Sequence, residues 1–180
     1  TLVLSRSSEG TLTQASVNLP ESIKPKRYRQ EFRTRFCEGL LSRRILLAEG
    51  ATEATAFPVV ARRLAELDSA KYSPLEALGI CTIDAGTETQ IADLGGLYRG
   101  LGKKVFAVCD KQSAADEAMI NAQVDELFMH TEKGIEDLVL KNTTVTALER
   151  FADLQTWPPH ISQKYPDPKA DVVNAVREYF

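Results

Sequence analysis

Strong charge of one sign is missing from this chain: 22 Lys and Arg stand against 25 Asp and Glu, a formal net charge of -3 over 180 residues. That balance excludes a surface that is basic all over, the footprint of a protein that coats nucleic acid through charge alone. Histidine is scarce, with only His130 and His160, and neither has a partner at ligand spacing. The three cysteines, Cys37, Cys81 and Cys109, form no CxxC pair, so zinc is poorly supported. Isolated cysteines, two of them inside apolar strand-like runs, imply buried thiols rather than a disulfide framework, and a reducing cytoplasm as the compartment. No run reaches the roughly 18 apolar residues of a membrane span. No charged-then-apolar leader opens the chain. Beginning at Thr1, it reads as a fragment, the C-terminal part of something larger. A G-x-x-x-x-G-K-[ST] loop is also missing, since "GLGKK" at 100–104 lacks the first glycine at that spacing and the hydroxyl residue, so no ATP site is expected in this chain.

What is present is the composition of a globular domain, 43% hydrophobic and 26% charged. "TLVLSR" and "TLTQASVNL" predict two strands around a Ser8–Gly10 turn. Residues 26–41, with Tyr28, Phe32, Phe36, Leu40 and Leu41 at near-helical spacing, predict an amphipathic lead-in helix. Its basic face belongs to a cluster at 24–36 that includes Lys24, Lys26, Arg27 and Arg29, suited to lie along phosphates or simply to face solvent. From Arg44 onward, short apolar runs alternate with amphipathic stretches. "RILLAEG", "LGICTIDAG", "KKVFAVCD" and "VDELFMH" are strand candidates, separated by helices over 54–67, about 90–101 and about 113–123. Strand alternating with helix predicts parallel crossovers and a doubly wound α/β domain, with "KKVFAVCD" as its central strand. "TWPPHISQKYPDPKAD" at 156–171 holds four of the eight prolines and predicts an irregular connector before a last helix at about 171–180.

Function in an open parallel sheet gathers just beyond the carboxyl ends of the strands. Three strand candidates end on acids: "ILLAEG" on Glu49, "CTIDAG" on Asp84 and "FAVCD" on Asp110, with Glu53 one helical turn past Glu49. Adjacent parallel strands lie about 4.8 Å apart, so their tips can converge on one ion. Crowded carboxylates repel unless a hard cation neutralises them, and oxygen-only donors favour Mg2+ or Mn2+. Each acid also has a plainer reading: Glu49 as a helix-start acid and Asp84 as a turn residue before Gly86. Asp110, closing the most apolar run, has the weakest plain explanation.

"ILLAEGATE", "GICTIDAG" and "KVFAVCD", in that order, resemble the Toprim domain of topoisomerases, bacterial primases and several nucleases. The stretch "RTRFCEGLLSRRILLAEGATEATAFPVVARRL", with the later "IEDLVLKN" and "DPKADVVNAV", is similar to the C-terminal region of OLD-family (overcoming lysogenization defect) ATP-dependent endonucleases. The resemblance implies a Rossmann-like central parallel sheet flanked by helices, with a short N-terminal hairpin and helical additions at the C-terminus. Residues 1–25 would lead toward an ATPase domain, and 26–180 would form the Toprim nuclease domain. It implies a metal-dependent DNA endonuclease using two Mg2+ or Mn2+ ions, with homodimerisation through the ATPase part and DNA as substrate. The resemblance implies that Glu49 is the Toprim glutamate, Glu53 the second acid a turn later, and Asp110 the first aspartate of an Asp-x-Asp motif. The chain departs at Gln112, where the second aspartate would stand. Ligands for a second ion are then sought in Asp84, Ser113, Glu136 and Asp137, and Lys169 in "DPKAD" resembles a basic residue that stabilises charge on the scissile phosphate.

Two other readings use the same acids. A receiver-type phosphoacceptor domain has an aspartate after its third strand, but also needs an acid pair after the first, which "AEGATE" fits poorly. A catalytically inactive Toprim module, serving as a DNA-binding or assembly platform, is kept open by Gln112. No tyrosine stands in a context that singles out a topoisomerase nucleophile.

Overall fold

The computed structural model of the chain describes residues 2–7, 9–21, 26 and 36–179. It divides into two compact units, Thr1–Met129 and His130–Phe180. No helix among the described residues is long and apolar enough to cross a membrane. Of the lead-in helix expected over 26–41, only its end falls within the described residues, together with Lys26. Lys24, Arg27 and Arg29 of the basic cluster lie outside them.

The first unit opens with an antiparallel hairpin, β1 (Leu2–Arg6) and β2 (Leu12–Ser16), in the register Leu2↔Ser16 to Arg6↔Leu12. A short helix α1 (Cys37–Leu41) then leads into β3 (Arg44–Ala48), α2 (Ala51–Leu67), β4 (Ile80–Asp84), α3 (Glu88–Gly100), β5 (Lys104–Cys109), α4 (Ala114–Gln123) and β6 (Glu126–Met129). The four strands β3 to β6 form one parallel sheet in the order β4-β3-β5-β6. The run "KVFAVC" therefore shares the sheet interior with β3, and β4 and β6 are the edges.

The order follows from the chain's path. From β3 it moves one strand outward to β4, then reverses and passes over β3 to β5 and on to β6. Parallel crossovers are right-handed, so the reversal puts α2 on one face and α3 and α4 on the other. Burial agrees with that division. Ile45, Leu47, Val105 and Ala107, which share one face by register, have no exposed surface. They pack in one cluster with Ile91, Leu94, Leu97 and Tyr98 of α3 and Ile120 of α4. Leu46, Phe106 and Val108, on the other face, are only half-buried, and α2 contributes no buried residue at all.

The two ends of the sheet differ in chemistry. At the amino ends, the half-buried Lys103 donates through Nζ to the carbonyls of Leu40 (2.7 Å) and Ser42 (2.6 Å), satisfying carbonyls that α1 leaves open at its C-terminus. Burial lowers the Lys103 pKa. The carboxyl ends carry the acids.

The second unit is helical: α5 (Ile135–Asn142), α6 (Val145–Leu154), α7 (Pro159–Lys164) and α8 (Val172–Tyr179). Leu140, Leu148, Ala152, Val172 and Val176 form its core, with Phe151 and Trp157 packed against them. Thr144 caps α6 by accepting the Ala147 N–H at 3.3 Å. The proline-rich connector contains one ordered turn, α7, because Pro159 stands at a first helical position where its missing N–H costs nothing.

The sheet interior sets the stability of the first unit. Leu47→Ala removes a side chain with no exposed surface from β3 and is expected to cost about 2–5 kcal/mol. Leu154→Ala, at a side chain 83% exposed, is expected to fall within about 0.5 kcal/mol of wild type. Urea unfolding of the two variants checks both values.

Candidate metal centre

Glu49 is the first residue past β3, and Asp110 the first past β5. Because Ala48 pairs with Val108, the two residues leave the sheet side by side, where the strand order reverses. The Asp110 backbone N–H donates to Glu49 Oε2 at 2.9 Å. Asp84 closes β4 on the other side of β3, opposite Ala48, and the Ala85 N–H donates to the Ala48 carbonyl at 2.8 Å. All three strand-tip acids expected from the sequence thus stand on adjacent strands at one end of the sheet.

Two glycines bring further acids to this end. Gly50 precedes α2, and a Cβ built there would lie 3.0 Å from Glu53 Oε2. The Glu53 carboxylate thus lies close against the bare backbone at 50, on the strand-tip side of its helix. Gly86 turns the chain out of β4 with φ of 86°, the left-handed region that glycine enters without steric cost. Two residues later α3 begins with Glu88, half-buried in its first turn.

Electrostatics show that these groups share one field. The Glu49 carboxyl is held above the usual carboxylate range, first by burial, then by the charges of Asp110, Glu88 and Glu53; the N–H of Asp110 works in the opposite direction. Cys109 is a second witness. Burial and the carboxylates of Glu49 and Asp110 push its thiol up to about 11, so it stays neutral and is no nucleophile at ordinary pH. Glu88 was not among the expected site residues.

The remaining expected residues have other local partners. Ser113 caps α4, accepting the Asp116 N–H at 3.2 Å and donating to Asp116 Oδ2 at 2.6 Å. Glu136 and Asp137 occupy the first turn of α5 in the second unit, where Asp137 pairs with Arg177 at 3.5 Å. Lys169, in the same unit, pairs with Asp153, which raises its pKa. Two cavities of the first unit lie away from the acids. One of about 780 Å3 is lined by Val3, Leu40, Leu101 and Lys103, and one of about 640 Å3 by Leu19, Pro20, Leu97 and Met119. Neither is lined by any of the strand-tip acids.

Whether the acids suit a divalent cation has a divided answer. The donors are all hard oxygens, mutually repelling, and Gly50 leaves room for Glu53 to approach, which fits Mg2+ or Mn2+. Among the described residues, however, no three His, Cys, Asp or Glu side chains are drawn together as a group that could hold an ion. The right donors surround the place without closing on it.

An open parallel sheet with paired acids at its switch point, the glutamate after β3 and the aspartate after β5, defines a Toprim-type α/β domain. Residues 40–111 match the family model described as "Overcoming lysogenization defect protein-like, TOPRIM domain", and this region is an OLD-like Toprim domain. The match runs from the end of α1 to just past β5, so Glu49, Glu53, Asp84, Glu88 and Asp110 all fall inside it. No curated protein and no solved structure matches the chain.

The raised Glu49 pKa has a consequence for stability. A carboxyl that binds its proton more tightly when folded favours the folded state below its unfolded value, and that advantage is lost as pH rises through the folded value. Glu49→Gln keeps an oxygen to accept the Asp110 N–H while removing the charge. In chelator it is expected to raise the melting temperature at pH 8 and to leave it unchanged below the ordinary value of 4.5. Thermal melts at the two pH values check this, and a lowered melting temperature at pH 8 would contradict the repulsion.

Proposed function

We propose that this chain is the metal-dependent DNA-cleaving part of an OLD-like protein, an endonuclease domain joined in the whole protein to an ABC-type ATPase. One observation carries the reading: the Asp110 N–H bonded to the Glu49 carboxylate across the switch point, in the field of Glu53 and Glu88. Glu49, Glu53 and Asp110 would hold the cation, with Asp84 beside them. When bound, such cations supply an activated water and neutralise charge on the phosphate and the leaving oxygen.

The chain's own contribution is placement. Strand register sets Glu49 and Asp110 on neighbouring tips, the Asp110 N–H fixes one carboxylate oxygen of Glu49, and Gly50 admits Glu53. Rigid strand ends hold ligands more accurately than loops do. Lys26, the one described member of the basic cluster called for DNA contact, is exposed, as a phosphate-binding lysine must be.

A second reading, an inactive Toprim module that binds DNA or a partner without cutting, is favoured by Gln112 in place of an acid and by the open arrangement of the carboxylates. Plasmid cleavage separates the two. The full chain is expected to cut with Mg2+ or Mn2+, to stop in excess chelator, and to be indifferent to ATP. Glu49→Ala and Asp110→Ala should each lower cleavage by about 100-fold or more, with melting temperatures in chelator held or raised. Glu66→Ala serves as control, because that exposed residue pairs only locally with Arg63 at 2.8 Å, and should leave cleavage unchanged. No cleavage by wild type under any divalent ion, with DNA binding intact, would favour the inactive module.

A further inference from the structure

Gln112 is tethered on both sides. Its backbone N–H donates to Met129 Sδ on β6 at 3.3 Å. Its side chain folds back over the strand tips, where Nε2 donates to the Asp110 carbonyl at 3.1 Å and to Glu49 Oε2 at 3.4 Å. Both acceptors are oxygens without hydrogens, so the nitrogen end of the amide must face them. A carboxylate in this place would repel Glu49, whereas the amide donates to it and adds no charge to a tip already shared by Glu49, Glu53, Glu88 and Asp110. The Asp110 N–H and the Gln112 amide reach the same oxygen, Oε2. A cation approaching Glu49 is therefore offered the other.

We propose that Gln112 is a positioning residue that presents Glu49 to one divalent ion and leaves the DNA-free site without a second. The inference rests on the metal reading above and deepens it. A second ion needs acceptor oxygens beyond those holding the first, and on the β5 side the chain turns a donor inward at the position where an acceptor would serve. That ion is then held only when phosphate oxygens arrive with the nucleic acid, so the two-ion state and the substrate come together. Hydrogen-bond partners that orient a ligating carboxylate typically change metal affinity by about 10–100-fold when removed.

The test is Mn2+ binding to the full chain without DNA, followed by calorimetry and by the electron paramagnetic resonance signal of free Mn2+. Wild type is expected to bind one ion. Gln112→Met, of similar length but without the donor, is expected to bind one ion about 10–100-fold more weakly, with its melting temperature in chelator unchanged. Gln112→Asp is expected to bind two. Should the Met variant fail to fold, Gln112→Ala carries the same comparison. Two ions in wild type, or an unchanged affinity in a folded donor-less variant, would overturn the proposal while leaving a metal site in place. No Mn2+ binding by wild type would instead remove the metal reading beneath it.

Discussion

The parallel pairing of β3 with β5 is the contact on which both the core and the site depend. It joins strands distant in sequence, and its register carries Ile45 and Leu47 beside Val105 and Ala107 on a face closed to water. The same register ends Ala48 opposite Val108, which is why the Asp110 N–H can reach the Glu49 carboxylate. A slip of one residue would turn every apolar side chain to the wrong face and separate that N–H from its acceptor. Core packing and site geometry are therefore specified together, and the hydrophobic pattern that stabilises the sheet also positions its charges.

Those charges oppose folding in the absence of a counter-ion. Burial and three neighbouring carboxylates raise the Glu49 pKa, and the hydrogen bond from Asp110 offsets only part of this. Sites tuned for chemistry commonly hold such strain, whereas a structural ion pair relieves it. The contrast with the other end of the sheet is direct. There a single half-buried lysine, Lys103, closes the carbonyls at the end of α1 and leaves no repulsion to resolve.

Much of this could be read from the chain alone. Each of Glu49, Asp84 and Asp110 ends an apolar run, and run length with intervening amphipathic stretches gave the four strands and their parallel sense. The strand order was less accessible, because "KKVFAVCD" is the most apolar run whether it lies in the middle or next to it. Glu88 was missed for a related reason. "TETQ" has no apolar lead-in, and the glutamate comes near Glu49 only because β4 neighbours β3 and Gly86 turns the chain back. The departure at Gln112 was visible as a missing acid, but its hydrogen bonds to Glu49 and Asp110 were not, since they depend on how the loop after β5 folds over the tip. Ser113 was sought in the sequence as a ligand, whereas its bonds to Asp116 make it a cap at the start of α4.

The two faces of the sheet are unequally covered, and this gives α2 a distinct place in the energetics. A helix with no buried residue opens locally at a smaller free energy than α3, five of whose residues are buried, so its amides belong to the fast-exchanging part of the molecule. Glu53 rides on the first turn of that helix. Any ligand that engages Glu53 only in the ordered state is therefore thermodynamically linked to the order of α2, and raises the free energy of its opening by RT ln(1 + [L]/Kd). A helix that buries no residue fully is in this way also the one whose order reports the state of the acidic tip.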